Sequence, residues 1–144
     1  MKKQTGIWVD SSKAVIVTLT NGSTDLTVIE SEIENRIHHE KEGDKGTFVG
    51  GHHHVNNERK FEERKKHQVD QFLEKITEQI KNEDEYYVFG PAEMKLNLGK
   101  KIEADHLIAF KLKSVDTADH MSHNEITAHV KAFFNEHDKQ SSGK

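Results

Sequence analysis

Residues 6–30, GIWVDSSKAVIVTLTNGSTDLTVIE, decide the first half of the fold. The runs GIWV (6–9), AVIVTL (14–19) and LTVIESEIENRI (26–37) are rich in β-branched and aromatic residues, which suit a pleated, half-buried surface. DSSK (10–13) and NGS (21–23) divide them with residues that form tight turns. Three strands joined in this way predict an antiparallel meander. In the third run Ile29, Ile33 and Ile37 share one parity while Glu30, Glu32, Glu34 and Arg36 occupy the other. Such a strand is wet on one face and suits a sheet edge. Trp8 is expected in the core.

Downstream the apolar period changes. Residues 38–56 hold four glycines and almost no apolar side chains, so they are expected to form an exposed, mobile loop. From Asn57 the spacing of Val69, Phe72, Leu73, Ile76 and Ile80, with Phe61 two turns earlier, predicts a helix ending near Asn82. EYYVFGP (85–91) reads as a buried strand, and Pro91 as the opening of a helix through Met94, Leu98 and Ile102. HLIAFKLK (106–113) reads as a fifth strand, with Ile108, Phe110 and Leu112 alternating. Ser122 and Glu125 form a capping box for a last helix, with Met121 and Ile126 as its hydrophobic staple and Val130, Phe133 and Phe134 as its buried stripe. The order β-β-β-α-β-α-β-α predicts an α/β fold: a five-stranded mixed sheet in which an antiparallel meander is followed by parallel strands with crossover helices. Residues 1–137 are expected to make a single domain and 138–144 a disordered polar tail.

Composition narrows the class. At 144 residues, 33% of them hydrophobic and 32% charged, the chain suits one layered domain with a modest core and a heavily solvated surface. No apolar run approaches the ~20 residues of a membrane span, and MKKQTGIWVDSS lacks the apolar stretch of a secretory signal, so a cytoplasmic protein without membrane partners is expected. The absence of cysteine excludes disulfides, thiol catalysis and thiolate metal sites. A net charge of -4 argues against wholesale wrapping of nucleic acid and leaves room for a local basic patch.

Three features together carry a family resemblance: the opening GIWVDSSKAVIVTL; GGHHHVNNERKFEERKKHQVDQFL (50–73), a glycine pair leading into a long charged helix; and YYVFGPAEMKLNLGKKI (86–102), a strand, a Gly-Pro turn and a lysine-bearing helix. In that order they resemble the central Gly-Gly-Gln domain of the archaeo-eukaryotic class I release factors and Pelota. They are closer still to small bacterial relatives described as host-attachment-type proteins. The resemblance spans roughly residues 5–136 and implies a ribonuclease H-like sheet, a role in translation, and the ribosome or a structured RNA as partner. It places Gly50 and Gly51 on the family's catalytic loop and His52 on the glutamine position. Two glycines permit backbone conformations closed to other residues, which lets the next amide approach a reacting ester. Histidine keeps that backbone N–H but lacks the primary amide's donor and acceptor pair. The chain also lacks the family's codon-reading and partner-binding domains, so release at stop codons is not expected.

Arg59, Lys60, Arg64, Lys65 and Lys66 are the candidate RNA-contacting residues, since cations on one helix can meet phosphates. Glu58, Glu62 and Glu63 offset part of that charge, and Glu62 with Lys66 is an ordinary i,i+4 pair. Two enzymatic alternatives remain open: peptidyl-tRNA ester hydrolysis through Gly50, Gly51 and His52, and metal-dependent hydrolysis. For the latter, His52 and His54 project to one side of an extended segment, and His38, His39 or His67 would complete a site for zinc or another divalent transition metal. No metal or other cofactor is favoured. A solvated loop is the plainer reading of the histidines. A carboxylate centre around Asp10, Asp116 and Asp119, as nucleases of this sheet type would need, is the weakest alternative. A third reading is a stress or adaptor protein that pairs through a sheet edge with a partner or a second copy.

Overall fold

The computed structural model describes residues 2–33 and 51–142, with residues 51–58 and 140–142 described through their backbone alone. Five strands form one open mixed sheet in the order β3-β2-β1-β4-β5. β1 (Lys3–Val9), β2 (Lys13–Thr20) and β3 (Ser23–Glu30) are the antiparallel meander, and β4 (Glu85–Gly90) and β5 (Leu112–Thr117) add in parallel beyond β1. The turn chemistry works as expected. Asp10 Oδ1 accepts the amides of Ser12 (2.8 Å) and Lys13 (3.0 Å), closing the first turn. Asn21 and Gly22 both take positive φ, 45° and 91°, as a two-residue hairpin matched to strand twist requires. β3 lies at the edge, with Ile29 and Ile33 half-buried against the core.

Helices cover both faces. α1 (Gly51–Ile80) carries the chain from the β3 edge past β2 and β1 to β4, and α2 (Met94–Glu103) crosses from β4 to β5. Both lie over one face, where Phe72, Leu73, Ile76, Ile80, Leu98 and Ile102 pack with Ile7, Val9, Ile16 and Val88. The opposite face is covered by α3 (His123–Ser142), whose Ile126, Val130 and Phe134 meet Trp8, Val15, Val17, Tyr87 and Phe89. Alternation along β1, β2 and β4 sends neighbours to opposite layers, which is why these strands are apolar throughout. The α3 capping box forms reciprocally: Ser122 N–H donates to Glu125 Oε1 (2.8 Å) and Glu125 N–H to Ser122 Oγ (3.1 Å). Such a cap stabilises a helix by about 1 kcal/mol. Tyr86, fully buried, donates its hydroxyl to the Ile80 carbonyl (2.8 Å) and so ties the end of α1 to β4.

Five boundaries differ from expectation. α1 begins at Gly51 rather than Asn57: residues 51–56, GHHHVN, carry a single apolar side chain and so supply no apolar phase to read. Positions 51–56 are therefore helical, while residues 38–50 of the expected loop, Gly50 among them, lie outside the described residues. Pro91 does not open α2, which starts at Met94 after a bend at 91–93. β5 runs over 112–117 rather than 106–113: a short 3-10 turn at Ala109–Lys111 precedes it, and Phe110 is exposed instead of alternating into the core. α3 continues to Ser142, past the start of the expected tail, and Gln4 Nε2 donates to both carboxylate oxygens of Asp138 (3.1 and 3.2 Å). β3 ends at Glu30, so residues 31–33 of the third run are not strand, and residues 34–37 lie outside the described residues.

Glu83, in the turn from α1 to β4, keeps Oε1 buried with no hydrogen-bond partner among the described residues. Burial raises its pKa above the ordinary 4.5, with Lys3 pulling the other way. A carboxyl with a raised folded pKa holds its proton more tightly folded than unfolded, so stability is gained as pH falls from neutral through the raised value towards 4.5. Glu83→Gln should therefore raise the midpoint of urea unfolding at pH 7 and flatten its change between pH 7 and pH 5. An unchanged or lower midpoint at pH 7 would contradict this account of the turn.

Candidate nucleic-acid interface

α1 is longer than the sheet it covers. Its 30 residues extend about 45 Å, against about 26 Å for an eight-residue strand. The side chains that pack on the sheet, Val69 to Ile80, all belong to its second half, and Phe61 is buried outside both sheet-packed clusters. The first half is free to carry charge. Arg59, Lys60, Arg64, Lys65 and Lys66 are all exposed there, as are Glu62 and Glu63, leaving five cations against two carboxylates over positions 59–66. Helical spacing spreads these cations around the outer surface rather than along one line.

α2 completes the surface. A groove of about 750 Å³ between the two helices has Lys65 and Lys66 on one wall and Lys100 and Lys101 on the other, with Asn97 alongside and Val69 and Leu73 also lining it. Glu62, Glu63 and Asp70 temper its charge, and Lys101 also pairs with Glu74 at 2.9 Å. Lys100 and Lys101 were not singled out by sequence reasoning. Their signal was present, since the expected helix through Ile102 would carry both, but the apposition of α2 to α1 is a tertiary contact that no local pattern encodes. Gly99 lies on the side of α2 that meets β5, where a Cβ would stand 3.1 Å from Val115 Cγ2.

The other candidates fare differently. Gly51, His52 and His54 fall in the first two turns of α1, so the extended spacing that would aim His52 and His54 to one side is absent from the backbone. In the lysine-bearing helix after the Gly-Pro turn, Lys95 is buried, and its ammonium donates to the Ala92 carbonyl, which commits it to its own turn. Asp10 is occupied by its turn amides and by His120 Nε2 at 3.3 Å, Asp116 accepts the Ser114 hydroxyl at 2.8 Å, and Asp119 offers its backbone carbonyl to the Trp8 indole at 3.2 Å. Among the described residues, the group of histidine and acidic donors within reach of a common ion is instead Glu85, His137 and Asp138, at the opposite end of the sheet. Gln4 and Lys2 already serve those carboxylates: Gln4 Nε2 donates to Glu85 Oε1 at 2.9 Å, and Lys2 Nζ lies 3.6 Å from Glu85 and 3.8 Å from Asp138. Behind them Phe133 stacks on Tyr87 with centroids 3.9 Å apart, and Tyr87 shares a 3.0 Å hydrogen bond with His129 Nε2. Burial, with the Asp116 carboxylate beside it, pushes the Tyr87 phenol well above its usual range and keeps it protonated.

No protein-family model matches the chain, and no curated protein matches it significantly. Solved structures do. The archaeal translation termination factor aRF1 superposes with a TM-score of 0.52 at 14% identity, over 98% of this chain and 41% of its own. A second archaeal protein gives a TM-score of 0.44 at 12% identity with the same coverage. The chain thus spans about two-fifths of the length of these structures. At such identity the likeness shows the fold, which is release-factor-like and has the strand order and directions set out above. No described helix is long and apolar enough to cross a membrane.

Proposed function

We propose that this chain is a release-factor-like protein of the small bacterial type that engages the ribosome or a structured RNA, without full stop-codon release activity. The observation that carries the reading is the position of the cations. Arg59, Lys60, Arg64, Lys65 and Lys66 sit on the half of α1 that the sheet does not cover, and Lys100 and Lys101 face that half across a groove. Cations in such a place contribute nothing to the core and suit a ladder of phosphates. The likeness to aRF1 gives this surface its setting, because that protein is a translation termination factor on the same fold. Purified protein should sediment with ribosomes at low salt and be released as salt rises, in keeping with phosphate neutralisation. Protein that stays in the supernatant at both low and moderate salt would sink the proposal.

A second reading has the retained glycine pair in its favour: Gly50, Gly51 and His52 acting on a peptidyl-tRNA ester. Peptide release from ribosome-bound peptidyl-tRNA, compared between wild type and His52→Ala, tests it separately. Equal rates at the level without protein would remove hydrolysis and leave binding untouched.

A further inference from the structure

The start of β4 and the last turns of α3 meet at one end of the sheet and bring an imidazole and two carboxylates to the same spot. Glu85 is the first residue of β4, and His137 and Asp138 are neighbours on α3. One ligating atom from each of the three lies within 4.8 Å of the others. His137 Nε2 stands 3.7 Å from Glu85 Oε2. That is too long for a hydrogen bond and close to what an ion between them needs, because bonds of about 2.0 to 2.2 Å set neighbouring tetrahedral ligand atoms about 3.3 to 3.6 Å apart.

The surroundings aim these groups. The His137 ring stacks on Phe133 (centroids 6.0 Å apart, planes 7° apart) and meets Phe134 edge-on at 6.4 Å, while Phe133 lies flat on the buried Tyr87 ring. The imidazole is thus held by the core beneath it. Gln4 Nε2 donates to Glu85 Oε1 and to both oxygens of Asp138, which leaves Glu85 Oε2 on the side of His137. Outer hydrogen bonds of this kind orient ligating carboxylates. The Lys2 ammonium stands 3.6 Å from Glu85 Oε2 and 3.8 Å from Asp138 Oδ1, beyond hydrogen-bonding distance, on a side chain that is 53% exposed. It cancels one of the two negative charges and is loosely enough held to yield to a cation that cancels both. We propose that Glu85, His137 and Asp138 bind a divalent first-row transition-metal ion, with zinc the best match. One imidazole with two carboxylates suits zinc better than magnesium or calcium, which prefer oxygen alone. Three protein ligands leave the fourth position to water, and Asp138 also lines a cleft of about 690 Å³ that admits it. An ion held there pins the end of α3 to β4, so binding should stabilise the fold.

The test is calorimetric titration of the full chain with zinc chloride after treatment with a chelator. The chain has 11 histidines, so the site is identified by comparing variants: His137→Ala, Asp138→Asn, Lys2→Gln, and a triple variant with His52, His53 and His54 each changed to alanine. Zinc should bind wild type and the triple variant alike. His137→Ala should lose about 100-fold in affinity and Asp138→Asn about tenfold. Lys2→Gln should bind about 3- to 10-fold more tightly, because the competing charge is gone. At a hundredfold excess over Kd, zinc should raise the Tm of wild type by about 5 to 10 °C and leave that of His137→Ala unmoved. A purely structural role for His137 would instead lower Tm equally with and without zinc. Circular dichroism melts without zinc establish that the variants fold; should His137→Ala not fold, Asp138→Asn and Lys2→Gln, both at exposed positions, carry the comparison. Absence of zinc binding, affinity indifferent to His137→Ala and Asp138→Asn, a site lost only in the triple variant, or equal affinity for magnesium chloride would each overturn the inference.

Discussion

Neutralising Arg59, Lys60, Arg64, Lys65 and Lys66 together to glutamine is expected to abolish sedimentation with ribosomes at any salt above the lowest. Each phosphate contact contributes about 0.7 to 0.9 to the slope of log affinity against log salt. Five lost contacts flatten that slope by roughly 3.5 to 4.5, so the wild type should lose roughly 130- to 500-fold more affinity than the variant over a fourfold rise in salt. Starting affinity should fall as well, because these residues are exposed on the part of α1 outside the sheet-packed stripe. Glutamine has nearly the helix propensity of lysine and arginine, so α1 itself should persist. Neutralising Lys100 and Lys101 alone should give the same trend with a slope change near two contacts. Melting temperatures unchanged to within a few degrees would separate lost binding from lost fold.

Gly90→Ala is expected to have the largest effect on stability of any single methyl addition considered for this sheet. A Cβ at Gly90 would overlap the carbonyl oxygen of Val9 and stand 3.2 Å from its carbonyl carbon, so the obstacle is backbone of the neighbouring strand. β1 and β4 form the central parallel pair, and α1, α2 and α3 all pack on residues from it. Parting these strands should cost roughly 3 kcal/mol or more, about 10 °C in Tm for a chain of this size. Gly6 provides the contrast. A Cβ there would run into the methyls of Val130 on α3, with Cγ1 at 2.8 Å. Gly6→Ala should therefore be rescued in part by Val130→Ala, which makes room, whereas Gly90→Ala has no side chain to trim. Thermal melts of these four variants check the distinction, and mild behaviour of Gly90→Ala would show that the β1–β4 contact is looser than described.

Sequence disclosed most where local chemistry has one structural outcome. Asn21-Gly22 needs positive φ at both positions, Asp10 closes its own turn, and Ser122 with Glu125 caps α3; each did what its residue types dictate. The apolar stripe of α1 was equally plain from Val69 to Ile80. Where the pattern was silent or double, boundaries moved. Residues 51–60 are nearly all polar, so they offer no phase by which helix can be told from loop. HLIAFKLK fits a period of two through Ile108, Phe110 and Leu112, and a period of three through Ile108 and Lys111; the tight turn took the second and left Phe110 outside. The candidate interface was half legible for the same reason. Cations on one helix can be counted along the chain, but Lys100 and Lys101 join Lys65 and Lys66 only through the packing of α2 beside α1.

The most direct measurement of the central claim uses the chain's lack of cysteine, which makes any introduced thiol a unique attachment point. An iron chelate that generates hydroxyl radicals, attached through Lys66→Cys on α1 or Glu136→Cys on the opposite layer, reports which side of the molecule lies against RNA. With ribosomes bound at low salt, the Lys66→Cys conjugate should cut ribosomal RNA at discrete positions, and the Glu136→Cys conjugate should cut weakly or not at all. Equal cutting from both positions, or cutting from Glu136→Cys alone, would contradict the assignment of the α1–α2 surface as the nucleic-acid interface.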